Sequence, residues 1–126
     1  MGKVEIRVAT MDDLTKFWGH PPVCSMWAFV AMLDDEPIAV AGVLRSSYLV
    51  AFSEMKEAMR GRKKDIVRMA CANMNAIRSR NLPVIALANK DEPTAESLMK
   101  HLGFVYLGST PNGEAFSWQW QQSQQH

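Results

Sequence analysis

The feature that most constrains the fold is a periodic stretch in the middle of the chain. Between Lys63 and Arg80 the apolar residues Ile66, Met69, Ala70, Met74 and Ile77 recur at helical spacing, whereas Lys64, Arg68, Asn75 and Arg78 fall off that stripe. This predicts the longest helix of the protein. It stands between two short apolar runs of strand type, "SYLVAF" before it and "VIALA" after Pro83. The second run is continuous rather than alternating, which predicts a strand covered on both faces.

The remaining segments supply further strands and helices. Val4, Ile6 and Val8 alternate with Glu5 and Arg7, the period of a half-buried strand. Thr10, with Asp13 three residues later and Leu14, Phe17 and Trp18 beyond, has the form of a capping box, and its acids suit a first helical turn. "GHPP" ends that helix by Gly19. "MWAFVAML" and "IAVAGVL" flank the turn "DDEP" as a hairpin would. "DEPTAESLMKHLGF" predicts a second amphipathic helix with Ala95, Leu98, Met99 and Leu102 inward and Gly103 as a left-handed stop. Two last strands, "FVYLG" and "EAFSWQW", flank "STPNG", where Asn112-Gly113 signals a tight turn. The order is strand, helix, three strands, helix, strand, helix, two strands, which is α/β with a mixed sheet.

Bulk properties narrow the function classes. The 126 residues suit one domain, taken as 1–120, followed by a polar tail at 121–126. A net charge of +1 removes any global case for nucleic-acid binding, so a basic site must be local. "MGKVEIRVAT" offers no apolar leader and no run approaches a membrane span, so a cytoplasmic protein is expected. Cys24 and Cys71 are too few for a disulfide scaffold or a thiolate metal cluster and are expected as buried or idle thiols. Trp18, Trp27, Trp118 and Trp120, with nine methionines, read as core and sheet-face filling.

Three local patterns in this order resemble the GNAT superfamily, the acyl-CoA-dependent N-acyltransferases, over nearly the whole chain. They are "IRVATMDDL", the hairpin "AFVAMLDDEPIAVAGVL", and "ALANKDEPTAESLMKHLGF", in which a strand ends in Asn89, Ala95 and Leu98 lie inside a helix, and Gly103-Phe104 opens the next strand. The resemblance implies a mixed, largely antiparallel sheet of six to seven strands flanked by helices. It also implies acetyl-CoA as the cofactor, gripped by a strand carrying Val50 and Phe52, by Asn89, and by a phosphate loop at the start of the long helix. That loop has the form R/Q-x-x-G-x-G/A in the family. Its counterpart is "RGRKKD", in which Arg60 fits the first position but Lys63 and Asp65 replace the two small residues.

Two readings of this corner stay open. In one, Arg60, Arg62, Lys63 and Lys64, with Gly61, hold phosphate through cationic side chains instead of bare backbone. Cations in a first helical turn oppose the macrodipole at roughly 0.3–1 kcal/mol each, which a docked anion would relieve. In the other, they form a solvated basic helix end. Asp65 shares its charge sign with any phosphate.

Catalytic groups are less marked. Many GNAT enzymes protonate the leaving thiolate with a Tyr at the position held here by Met99, and a thioether has no proton to give. Tyr106 is a candidate substitute, although a strand Tyr is more often packing. Glu54, just beyond "YLVAF", is near where a general base could lie, or is a solvated carboxylate. His20 and Cys24 could suggest nucleophilic chemistry, but the two prolines between them keep them off one helical face. The short "GHPPVCS" segment would suit a small or surface-exposed acceptor, such as a protein Lys, or none. The shortened front and altered loop also resemble small GNAT-like proteins of short-tailed phages, some of them virion or scaffold components. That likeness implies a protein partner and a place in the host cytoplasm or virion.

Overall fold

A computed structural model of the protein describes residues 2–47, 49–88, 93–111 and 113–118, with the side chains of 93–95 excepted. The elements are β1 (Glu5–Val8), α1 (Met11–Trp18), β2 (Met26–Leu33), β3 (Glu36–Arg45), β4 (Leu49–Met55), α2 (Lys63–Arg80), β5 (Val84–Ala88), α3 (Pro93–His101), β6 (Val105–Thr110) and β7 (Gly113–Trp118). One seven-stranded sheet runs in the order β1-β2-β3-β4-β5-β7-β6. Among the described residues β4 and β5 are the parallel neighbours, and the other adjacent strands pair antiparallel. That follows from the connections, because a parallel pair needs a long crossover and α2 is the chain's longest helix. The α/β class and the element order match the expectation from sequence.

The hairpin β2–β3 closes through Asp34 and Asp35, both with positive φ (51° and 68°), the backbone a two-residue turn requires. Glu36 and Pro37 therefore belong to the strand rather than the turn. Pro37 sits opposite Met32, where a register shift relieves the missing N–H. Gly42 is needed by close approach: a Cβ there would lie 2.1 Å from the Trp27 carbonyl oxygen and 2.7 Å from the Ala28 Cα.

The two faces of the sheet are covered unequally. On one, α1 buries Leu14 and Phe17 against Ala28, Val30 and Val40. On the other, α2 sets Met74 and Ile77 on Val43, Ala51, Val84 and Ala86, with Phe104 and Phe116 alongside. Met69 and Met59 continue that layer over Ala31, Ala39 and Ala41. At about 1.5–3 kcal/mol for each large apolar side chain removed from water, these layers dominate the stability. No described helix packs on the α1-side face of β5, and Leu87 is 41% exposed there. The expectation that "VIALA" is covered on both faces therefore fails on one.

α1 is placed by its capping box and by a clasp to β1. Asp13 N–H donates to Thr10 Oγ1 at 3.1 Å, and Thr10 N–H donates to Asp13 Oδ2 at 2.9 Å. Arg7 adds two guanidinium donors to the same carboxylate, at 2.5 and 3.1 Å. Gly19, at φ 82°, ends the helix by donating its N–H to Thr15 O at 2.7 Å. Among the described residues no helix is long and apolar enough to cross a membrane. Asn89, Asn112, Trp120 and the expected tail at 121–126 lie outside the described residues.

Candidate functional site

The sheet opens at the β4–β5 junction, its one parallel pairing among the described residues. β4 and β5 are in register at Leu49 and Val84, Val50 and Ile85, and Ala51 and Ala86. Past that point β4 stays with β3 as far as Met55 opposite Ala39, and β5 stays with β7 as far as Ala88 opposite Glu114. Each strand thus follows its antiparallel neighbour, and the facing edges beyond Ala51 and Ala86 carry no ladder among the described residues. A cavity of about 80 Å³ lies at the parting. Phe52 and Ser53 form its β4 wall, Leu87 its β5 wall, Met74 and Asn73 contribute from α2, and Leu98 and Met99 from α3. Strand edges without partners can pair with the amides of an extended ligand much as a further strand would.

The amino end of α2 is a second element of the site. A turn built on Met59 N–H to Lys56 O (2.9 Å) and Arg62 N–H to Met59 O (3.0 Å) leads into it, anchored by the fully buried Met59 side chain. Gly61 takes φ 92° in this turn, and Arg62 is the N-cap without a side-chain capping bond. Helix geometry directs the first-turn N–H groups outward from such an end, where they favour anions. Asp65 is bracketed by Arg62 at 4.0 Å and Arg68 at 2.7 Å, so its charge is balanced locally. Arg60 lies 3.8 Å from Glu57, and Arg62 Nε donates to Ala58 O at 3.1 Å. Lys63 and Lys64 are exposed, and neither has an ion pair among the described residues.

On the α1 side, Trp18 Nε1 donates to Glu54 Oε1 at 3.3 Å, and its ring lies 6.2 Å from Phe52 and 6.4 Å from His20. Phe52 therefore touches both the aromatic cluster and the cleft, while Glu54, two residues on along β4, shares its face. Val50 lies in the zipped half of the junction, opposite Ile85. Tyr106 is on the edge strand β6, two strand spacings from β5, roughly 10 Å. Its hydroxyl donates to Glu114 Oε1 at 2.8 Å, and Ser109 Oγ donates to the same carboxylate. Phe52 and Met99 thus line the parting, while Glu54 lies beside Trp18 without lining the cavity, and Tyr106 is set apart. Cys24 and Cys71 are both exposed and not buried; Cys24 lies on the "GHPPVCS" segment, which runs over the surface. His20 Nδ1 is 2.9 Å from Pro21 O.

Asn73 and Ser53 were not singled out from sequence. Asn73 had a signal: it falls at helical spacing with Ala70 and Ile77, a polar residue on an otherwise apolar stripe. Ser53 had none.

No protein-family model and no curated protein matches the sequence. Solved structures do. The spermidine/spermine N-acetyltransferase SpeG of Vibrio cholerae superposes with a TM-score of 0.69 at 12% identity, covering 98% of this chain and 100% of that one. The yncA protein of Salmonella typhimurium, solved with its cofactor acetyl-CoA, gives 0.69 at 12% identity over 92% and 93%. A GNAT-family acetyltransferase of Streptococcus pneumoniae gives 0.66 at 10% identity over 93% and 99%. The chain has the GNAT fold.

Proposed function

We propose that the protein is an acyl-CoA-binding N-acetyltransferase of the GNAT fold with weakened chemistry. The parting of β4 and β5 around an apolar cavity carries this reading. A pantetheine-type arm of acetyl-CoA would enter there beside Phe52 and Ser53, and the phosphates would meet Lys63, Lys64, Arg60 and the first-turn N–H groups of α2. Gly61, at φ 92°, lets the turn reach that helix end, and Asn89, next in sequence after Ala88, is a further candidate contact to the cofactor. A CoA thioester supplies an activated acyl carbon and a thiolate leaving group.

Glu54 is the candidate base. Its Oε1 is held by Trp18, and the carboxylate stays solvent-exposed to take a proton from an incoming ammonium. The freed amine attacks the thioester carbonyl, the C–S bond breaks, and the thiolate needs a proton. Met99 has none to give, so water must supply it or Tyr106 must be freed from Glu114, and the rate falls accordingly. Incubation with acetyl-CoA and a lysine-rich peptide, read by mass spectrometry, should give slow acetylation that is lost in Arg60→Ala. Absence of product with CoA still bound would refute the enzymatic part.

Met99 in the cleft wall favours a second reading, a catalytically silent GNAT-like interaction protein, such as a phage virion or scaffold component. Acetylated product that depends on Arg60 would exclude it.

A further inference from the structure

The middle of α2 carries a buried polar group that the reading above leaves unused. Asn73 is 8% exposed and lies among the apolar residues of the helix stripe. Its Nδ2 donates to the Gly42 carbonyl oxygen at 3.2 Å. That bond fixes how the amide faces, because the reverse orientation would set two oxygens against each other. Oδ1 is then left buried without a hydrogen-bond partner among the described residues. Asn73 also forms part of the cavity wall at the parting of β4 and β5.

A buried acceptor without a donor is disfavoured, and Leu at this position would suit the stripe without that penalty. The neighbouring wall is mostly alkyl and aryl: Ala51, Phe52, Leu87, Met74 and Met99. Such a lining accepts a mainly aliphatic chain, and Asn73 is the amide side chain in it. A carboxylate or phosphate would be repelled by Oδ1, and a plain alkyl chain would leave it unsatisfied. A chain with an amide N–H along its length meets both conditions.

We infer that Asn73 is a specificity-determining residue of the cleft, with Oδ1 accepting a hydrogen bond from an amide N–H of the pantetheine arm. The inference rests on the proposal that the cleft takes a CoA ester, and adds the side chain that distinguishes an amide-bearing arm from one of equal length without the N–H. The Gly42 carbonyl, by holding Nδ2, positions the acceptor in advance of binding.

The test uses calorimetric titration of the wild-type protein with CoA and with its two single-ester analogues, in which one or the other amide N–H is replaced by oxygen. One analogue should bind about tenfold more weakly than CoA, the loss of one hydrogen bond onto a buried acceptor. In Asn73→Leu, CoA and that analogue should bind alike, while the thermal midpoint of the ligand-free protein stays level or rises. Equal affinity of the wild type for CoA and both analogues overturns the inference and leaves the proposed function standing. So does an unchanged preference in Asn73→Leu. If CoA does not bind the wild type at all, the proposed function falls and this inference with it. If Asn73→Leu does not fold, Asn73→Ala takes its place, with the same two outcomes.

Discussion

Replacing Asp13 by Asn should expose how α1 is held over the sheet. The carboxylate receives both Arg7 guanidinium nitrogens, at 2.5 and 3.1 Å, and the Thr10 N–H at 2.9 Å. Hydrogen bonding from Arg7 is the main cause that lowers its pKa from 3.8 to about 2, opposed by burial and aided by Thr10. At about 1.4 kcal/mol per pKa unit this is about 2.5 kcal/mol. Solvent reaches 37% of the Arg7 side chain against 11% of Asp13, and screening there trims the figure to about 1–2 kcal/mol. The sign follows from the depressed folded value: the contribution is complete above the unfolded pKa near 4 and fades as pH falls through about 2. Urea unfolding of wild type and Asp13→Asn at pH 7 should therefore differ by about 1–2 kcal/mol, with the midpoint of thermal unfolding lowered by about 5 °C. The gap should close as the pH approaches 2. An equal gap at pH 7 and near pH 2, or none at pH 7, would refute the argument.

Other perturbations address the sheet and the cleft. Gly42→Ala should destabilise the protein by more than about 3 kcal/mol, since its Cβ would meet backbone atoms of β2 that have no room to yield. A melting curve like the wild type's would contradict that strand approach. Ala70→Phe should place a phenyl ring in the 80 Å³ cavity, leaving the melting temperature level or higher while CoA affinity falls at least tenfold. Retained affinity would put the ligand elsewhere. The double change Lys63→Ala with Lys64→Ala should weaken CoA about tenfold at low salt and leave pantetheine unaffected, with the difference shrinking at high ionic strength. Equal loss for both ligands would show that the lysines do not meet phosphate.

Helices and hairpins were legible because their signals are local. The stripe from Ile66 to Ile77 gave α2 its observed bounds, Lys63–Arg80, and the spacing of Thr10 and Asp13 gave a capping box that forms with both bonds. The cleft left almost no trace. It arises where one backbone ladder stops after Ala51 and Ala86, and a missing ladder has no residue type of its own. Continuous apolarity in β5 read as burial on both faces, yet tertiary placement of α1 over β3 left Leu87 exposed. Asn73 was visible as a polar interruption of the stripe, but only the Gly42 carbonyl beneath it shows which atom is left over. The basic corner was legible as charge. Its internal ties, Arg62 to Ala58 and Arg68 to Asp65, depend on the turn that Met59 anchors and could not be read from composition.

Titration of the protein with acetyl-CoA in a calorimeter shows whether the gap between β4 and β5 receives a CoA thioester. Saturable one-to-one binding is expected, weakened at least tenfold in Ala70→Phe. No heat of binding at millimolar ligand would contradict it.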